Sequence, residues 1–390
     1  MTKAMPQDIF LDRAVITHNH DGEGLCGDFY AEFGDASQQP VAVLSDGMGS
    51  GVKANIMSTI TSTILGRLLE HGLPLAECVD TIAASLPLCK ERGMAYATFT
   101  AAQVKGDQLF LVEYGNPPCI VFRNGEPLPT QCQVRFVGDK EIHERTLRIQ
   151  SGDLLLMMSD GVTHAGIGVS TIDGWSIQDI GAFLAGTDLV GNCAAVTAAL
   201  LDERCNAMSN GQFGDDRTIA VLRFCSHHTA NVVMGPPARG HDEKAALRLF
   251  FSKRGKHIVC GGTTSQIVAN YLGKPLELIQ GSGDADVPDM GRIDGVDLTT
   301  EGIITLQHTL ELHERIARDP DHILHLGTRP DELLYRALFM ESTNINVFFG
   351  TAFNDAHSGT NIAFDNKITA IKTLCRKLEE AGKKTSIQYY

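Results

Sequence analysis

Val43-Leu-Ser-Asp-Gly-Met-Gly-Ser-Gly51 decides how the first half of this chain is read. The run from Val41 to Ser45 is apolar enough for a buried strand, and Asp46 stands at its tip. Glycines at 47, 49 and 51 then open into a long helical pattern. Glycine lets a backbone approach a ligand or ion closely, and the Gly47 carbonyl is itself a hard oxygen donor. A second strand end repeats the design at Leu156-Met-Met-Ser-Asp-Gly-Val162. Two further acidic tips are Gly27-Asp28, ahead of Phe29, and Gly214-Asp215-Asp216, ahead of the last strand of this half. A lone Asp-Gly pair is an ordinary turn signal. Here Asp46 and Asp160 share a Ser-Asp-Gly frame, each after an apolar strand. Four such acids can converge on one end of a sheet, where their carboxylates repel. Divalent cations relieve that repulsion, and an all-oxygen donor set favours Mg²⁺ or Mn²⁺ over Zn²⁺.

The surrounding pattern supplies the scaffold. Short β-like runs recur at Tyr96 to Val104, Gln108 to Tyr114, Cys119 to Arg123, Arg145 to Ile149, Asp153 to Met158 and Thr218 to Phe224. Turn signals such as Lys105-Gly-Asp107, Arg123-Asn-Gly125 and Ser151-Gly-Asp153 separate them, predicting a meander. Helical spacing covers Lys53 to His71, with Ile56, Ile60, Ile64 and Leu68 as its apolar residues, and Leu75 to Arg92. Two more helices are predicted at Ile177 to Leu184 and Asn192 to Met208. Strands interleaved with helix pairs predict an α+β domain over residues 1–226, with helices on the faces of its sheets.

Composition bounds the rest. Apolar residues make up 43% of 390 and charged residues 21%, an ordinary globular balance. Against 33 Lys and Arg stand 47 Asp and Glu, a formal charge of −14, which disfavours a nucleic-acid partner. The longest apolar run, Leu154 to Met158, is far short of the ~20 residues of a membrane span. Met1 to Phe10 holds no sustained apolar stretch, so no signal peptide is expected. Ten cysteines without a CxxC pair read as reduced thiols, and the expected location is cytoplasmic.

The ordered set Gly27-Asp28, Leu44-Ser-Asp-Gly-Met-Gly-Ser-Gly51, Met158-Ser-Asp-Gly161 and Asp215-Asp-Arg-Thr218 resembles the metal-dependent PPM (type 2C) protein phosphatases. It is closest to their bacterial SpoIIE-type branch, which acts on phosphorylated anti-sigma-factor antagonists. The Gly115-Asn-Pro-Pro118 turn, followed by an apolar strand and Arg123, also matches that branch, and the resemblance spans residues 8 to 225. It implies an αββα sandwich with two antiparallel sheets and a centre of two Mn²⁺ or Mg²⁺ ions. Under it Asp46 bridges both ions, Asp160 and Asp215 complete one shell, and Asp28 and the Gly47 carbonyl serve the other. Asp46 and Asp160 are thus the expected catalytic residues. The implied reaction is hydrolysis of phosphoserine or phosphothreonine by a water activated between the two ions, in bacterial signalling. The motif match favours Asp215 over Asp216, though either carboxylate is positioned to face the metal.

Departures from the pattern stand beside the match. Eukaryotic-type relatives carry His soon after the Asp-Gly, where this chain has Met48, and they hold substrate phosphate with an upstream Arg. No clear counterpart of that Arg is visible in this chain; Arg13, on the first strand, is a candidate. Cys26 stands where the branch often has Ser and reads as a packing thiol. His18 and His20 alternate on one strand face and read as a polar pair near a loop rather than as metal ligands. Two alternatives stand beside the phosphatase reading: a phosphatase-like scaffold that signals through its second half, and a hydrolase of small phosphate esters.

Beyond Cys225 the rhythm changes. Short runs at Asn231 to Met234, His257 to Cys260, Leu276 to Ile279 and Asn346 to Phe349 alternate with helical patterns at Glu243 to Lys253, Ser265 to Leu272, Ile303 to Ile316, Asp331 to Phe339 and Asp365 to Lys384. Residues 227–390 are therefore expected to form a smaller α/β layered domain that regulates the first or binds a ligand or partner. Its Gly261-Gly-Thr-Thr-Ser265 turn reads either as an anion cradle at a helix start or as hydroxyl capping. A homodimer is one assembly open to such a chain.

Overall fold

The computed structural model describes residues 9–34, 40–85, 97–138, 140–238, 243–351 and 361–390. Tyr96 and the part of the second predicted helix beyond Ser85 lie outside these residues. The chain divides into two compact units, Met1–Ser226 and His227–Tyr390, each described by itself.

In the first unit the elements run β1 (Ile9–His18), β2 (Asp28–Phe33), β3 (Val41–Gly47), α1 (Gly51–Glu70), α2 (Leu75–Ser85), β4 (Ala97–Lys105), β5 (Gln108–Tyr114), β6 (Ile120–Arg123), β7 (Glu126–Pro127), β8 (Gln133–Val137), β9 (Lys140–Arg148), β10 (Leu154–Met158), α3 (Asp160–Thr163), α4 (Ile177–Ala185), α5 (Ala194–Met208) and β11 (Arg217–Ser226). They build two antiparallel sheets, ordered β2-β3-β4-β5-β9-β8 and β1-β11-β10-β6-β7. Leu44, Ala102 and Leu111 of the first sheet meet Leu11, Leu155, Met157 and Leu222 of the second in one inter-sheet core. The opposite side chains of the first sheet, Val41, Val43, Phe99 and Val112, pack on Leu65 and Leu69 of α1 and Val79 and Ile82 of α2. With α5 laid on β1 and β11, the order of layers is helix, sheet, sheet, helix.

One face differs from expectation. An apolar stripe ordinarily faces the core, yet Ile56, Ile60 and Ile64 of α1 are 47%, 47% and 45% exposed. The buried face carries Ala54, Ser58, Thr61, Ser62, Leu65, Gly66 and Leu69 instead. The reason is distance. A Cβ built on Gly66 would lie 2.0 Å from the Phe33 ring, and one on Gly47 would lie 2.1 Å from the Ala54 carbonyl oxygen. The helix sits so close to the sheet that only small residues fit beneath most of its length, and the bulky isoleucines are turned outward.

The second unit contains β12 (Thr229–Met234), α6 (Glu243–Ser252), β13 (Lys256–Cys260), α7 (Gly262–Leu272), β14 (Glu277–Leu278), β15 (Gly291–Arg292), β16 (Leu298–Thr300), α8 (Ile303–Arg318), α9 (Pro330–Tyr335), β17 (Asn344–Phe349), α10 (Asn361–Glu380) and β18 (Lys384–Tyr389). Its sheet runs β14-β15-β16-β13-β12-β17-β18, and the last five are mutually parallel. Taken in chain order, those five strands lie 3-2-1-4-5, a doubly wound α/β arrangement. Here α7 begins at Gly262, ahead of the predicted Ser265. Its hydroxyls are used within the fold: Thr264 Oγ1 accepts from Gly235 N–H at 2.9 Å, and Ser265 Oγ donates to the Gly261 carbonyl at 2.8 Å. The chain after Glu380 turns into β18 rather than continuing as helix to Lys384.

Candidate metal centre

Sheet register brings the first two acids together. Asp28 opens β2 and Asp46 lies near the end of β3, directly opposite each other in the antiparallel pair. Such partners stand about 4.5–5.5 Å apart at Cα. The neighbouring strands pin this end. Gly47 N–H donates to the Gly27 carbonyl at 3.2 Å, and Ser45 Oγ to the Thr98 carbonyl at 2.6 Å. Asn116, from the Gly-Asn-Pro-Pro turn, is buried and donates to Thr100 Oγ1 at 3.1 Å and the Leu44 carbonyl at 3.4 Å. That turn therefore braces the strand carrying Asp46.

The second sheet delivers the rest. Asp160 opens the single helical turn α3 just after β10, and Asp215 and Asp216 immediately precede β11. Ser159 and Thr218 clamp the two strand ends, with Thr218 N–H donating to Ser159 Oγ at 2.8 Å and Ser159 N–H to the Thr218 carbonyl at 3.1 Å. Close approach again demands glycine. A Cβ on Gly161 would lie 2.2 Å from the Asp216 carbonyl oxygen, and one on Gly27 would lie 2.6 Å from Asp216 Oδ2.

These carboxylates form one electrostatic cluster. Burial raises the Asp46 carboxyl to about 10, with the charges of Asp28, Asp160 and Asp215 adding to it. Burial likewise raises Asp28 to about 7, opposed by the Ser159 and Thr218 hydroxyls and reinforced by Asp216 and Asp160. Asp160 is raised too, by burial and then by Asp215. Carboxyls that resist ionisation this strongly mark a place that wants positive charge.

The two alternatives at the last motif take different positions. Asp215 is partly exposed, and its Oδ2 lies 3.3 Å from His164 Nδ1. Asp216 is buried; Oδ1 accepts His20 N–H at 2.9 Å, while Oδ2 has no hydrogen-bond partner. Asp160, His164 and Asp215 bring ligand atoms within 4.8 Å of one another. The sequence reading missed His164, although it follows Asp160 by four residues, one helical turn.

A buried network holds the β11 end in place. Arg217 and Asp202 pair at 2.7 Å with side chains 3% and 2% exposed, and His18 Nε2 meets the other Asp202 oxygen at 2.9 Å. Burial opposes ionisation of Asp202, but His18 and Arg217 outweigh it and hold the carboxyl below its usual range. Phe213 fills the gap between them, stacked on the His18 ring and lying under the Arg217 guanidinium. Cys26 sits beside the acids with its thiol pushed far up by burial and by Asp28 and Asp216, and Sγ reaches the His18 carbonyl at 3.5 Å. Arg13 is not at this centre; it pairs with Glu32 at 2.9 Å, midway along β1.

The residues fit a divalent cation. Both oxygens of Asp28 are buried without a hydrogen-bond partner, as is Asp216 Oδ2, inside a ring of further carboxylates. An uncompensated buried carboxylate is costly to ionise, and hard cations take carboxylate oxygens as ligands.

Fold and site together describe a two-sheet sandwich with an acidic, metal-suited end. Residues 37–225 match the family model described as Stage II sporulation protein E (SpoIIE). Stage II sporulation protein E of Bacillus subtilis (strain 168) is 27% identical over 218 residues, which are 54% of this chain and 25% of that protein. Its counterpart in Priestia megaterium is 24% identical over 220 residues, 55% of this chain and 36% of that protein. The chain thus spans about a quarter to a third of the length of the curated relatives it matches. Among solved structures, the PP2C phosphatase domain of SpoIIE from Bacillus subtilis with a fragment of its regulatory domain aligns at TM-score 0.48 and 23% identity, over 58% of this chain and 64% of that one. RsbX in complex with magnesium aligns at TM-score 0.41 and 16% identity, over 57% of this chain and 100% of that one. Residues 37–225 of the first unit are thus a SpoIIE-type phosphatase domain, homologous to the PP2C-type serine/threonine phosphatases. Among the described residues, no helix is long and apolar enough to cross a membrane.

Proposed function

We propose that the first unit is a metal-dependent phosphoserine/phosphothreonine protein phosphatase acting in bacterial signalling, with a phosphorylated protein as substrate. The observation that carries the reading is Asp28, a buried carboxylate with two unpartnered oxygens inside a cluster of like charges. A shared role for Asp46 is supported by its carboxyl, which feels Asp28 on its own sheet and Asp160 and Asp215 on the other. We assign Asp28, Asp46, the Gly47 carbonyl, Asp160 and Asp215 as the groups that would hold two Mn²⁺ or Mg²⁺ ions, with Asp46 shared. Bound there, the ions would supply the charge that acidifies an attacking water and neutralises the phosphoryl oxygens.

The protein's own part is positioning. The β2–β3 register sets Asp28 against Asp46, the Ser159–Thr218 clamp holds Asp160 at the same end, and the Arg217–Asp202–His18 network fixes the segment bearing Asp215 and Asp216. The nine described cysteines are all free thiols, in keeping with a reducing cytoplasm. The second unit would then regulate the phosphatase or bind a ligand or partner. The SpoIIE-type resemblance makes a phosphorylated anti-sigma-factor antagonist the first substrate to try.

The test is phosphate release from an aryl phosphate and from phosphoserine and phosphothreonine peptides, with Mn²⁺, with Mg²⁺ and with chelator. Hydrolysis that depends on metal and is lost in Asp46→Ala and Asp160→Ala is expected. Activity on the aryl ester alone would favour a small-ester hydrolase. No activity and no metal binding at millimolar ion would leave a phosphatase-like scaffold.

A further inference from the structure

His164 belongs to no motif that suggested the metal centre, yet it stands over two of its acids. Asp160 to Thr163 forms one helical turn, and His164 N–H donates to the Asp160 carbonyl at 2.7 Å. That bond places the imidazole on the same side as the Asp160 carboxylate. Nδ1 lies 3.3 Å from Asp215 Oδ2 and 3.8 Å from Asp160 Oδ2. Two ligands bound about 2.1 Å from one ion lie roughly 3–4 Å apart, so His164 is spaced from each acid as a co-ligand would be, and the three ligand atoms lie within 4.8 Å of one another. The imidazole is half exposed, and the core does not force it into this place.

The chemistry of the donors then matters. Every other group assigned to the centre offers oxygen, which suits Mg²⁺ and Mn²⁺ alike. Imidazole nitrogen binds Mg²⁺ poorly and first-row transition ions increasingly well from Mn²⁺ through Co²⁺. We infer that His164 is a nitrogen ligand of a metal position formed with Asp160 and Asp215, and that it biases the centre towards transition-metal ions over Mg²⁺. The inference rests on the metal-centre reading above and adds to it a ligand and a selectivity.

Full-length protein loaded with Co²⁺ provides the test. Direct ligation shifts the exchangeable imidazole N–H proton of His164 far downfield in the NMR spectrum. That resonance should be present in the wild type and missing in His164→Ala. Calorimetric titration of His164→Ala should show Co²⁺ binding weakened by about 10–100-fold at one position, with Mg²⁺ changed less than about 3-fold. His164→Asp, with an oxygen donor in place of the nitrogen, should bind Mg²⁺ at least as well as the wild type and lack its preference for Co²⁺. Unaltered Co²⁺ affinity together with an unaltered N–H spectrum in His164→Ala would overturn the inference and leave His164 a simple ion-pair partner of Asp215. Failure of the wild type to bind any of these ions would instead sink the metal centre itself, so the two failures are distinguishable.

Discussion

Replacing Asp28 by Asn should make the metal-free protein more stable while it weakens metal binding. The Asp28 side chain is buried among acids, and its carboxyl is raised from 3.8 to about 7. A raised folded-state pKa on an acid means that the native state holds a proton which the unfolded state releases. Stability therefore falls as pH rises through the window from about 4 to about 7. The shift is about 3 units, so at about 1.4 kcal/mol per unit the cost is at most about 4 kcal/mol at pH 8. Between pH 8 and pH 5 about 2.5 kcal/mol of it disappears as the carboxyl is protonated. Asn removes the titration and brings two N–H donors to a pocket where Asp216 Oδ2 lacks a partner. The chain has a single Trp, and Trp175 is buried in the first unit against Phe183, so its fluorescence follows the melting of that unit. At 2–4 °C per kcal/mol, chelator-treated Asp28→Asn should melt above the wild type at pH 8 by up to about 8–16 °C, with a smaller gap at pH 5. Saturating Mn²⁺ should narrow the gap, because it stabilises the wild type more. Equal or lower melting of Asp28→Asn at pH 8 in chelator, or a gap unaffected by pH, would refute the view of Asp28 as an uncompensated buried charge.

The other predictions bear on the scaffold. Gly47→Ala should destroy activity and lower the Trp175 melting temperature, because its new Cβ would fall 2.1 Å from the Ala54 carbonyl oxygen and push α1 off the acidic loop. Arg217→Met should cost about 3–5 kcal/mol by leaving the buried Asp202 without its guanidinium partner, read from the same fluorescence melt. Asp202 has the opposite pH sign to Asp28: its carboxyl is held below 3.8, so its contribution is present above about pH 4 and is lost as pH falls further. Ile56→Lys and Ile60→Lys should shift stability by no more than about 0.5 kcal/mol, because both side chains face outward; a loss of several kcal/mol would put the isoleucines back in the core.

The acids of the centre were legible because their chemistry constrains local sequence. A carboxylate at a strand tip beside a close-packed backbone needs glycine next to it, and Gly27, Gly47 and Gly161 each occupy a place where a Cβ would collide. What escaped the sequence depends on distances that no local pattern records. Helical spacing marks Ile56, Ile60 and Ile64 as apolar without saying how near the sheet lies, and the nearness of α1 turned them out. His164 escaped because a four-residue helix is too short to show a period, so only the i,i+4 step from Asp160 carried the signal. Asp215 was favoured over Asp216 only by the motif match, since their different settings come from partners far along the chain, His164 for one and His20 N–H with Gly27 for the other. In the second unit the alternation of strands and helices was readable, but the 3-2-1-4-5 order comes from long-range pairing and leaves no mark on composition. Two features that break ordinary folding rules gather around one end of the sheets in the first unit: buried unpaired carboxylates, and the glycines Gly27, Gly47 and Gly161, whose places leave no room for a Cβ. A stability-driven sequence would remove the buried charges there, so their presence together with the glycines that make room for them argues that this end is built to hold cations.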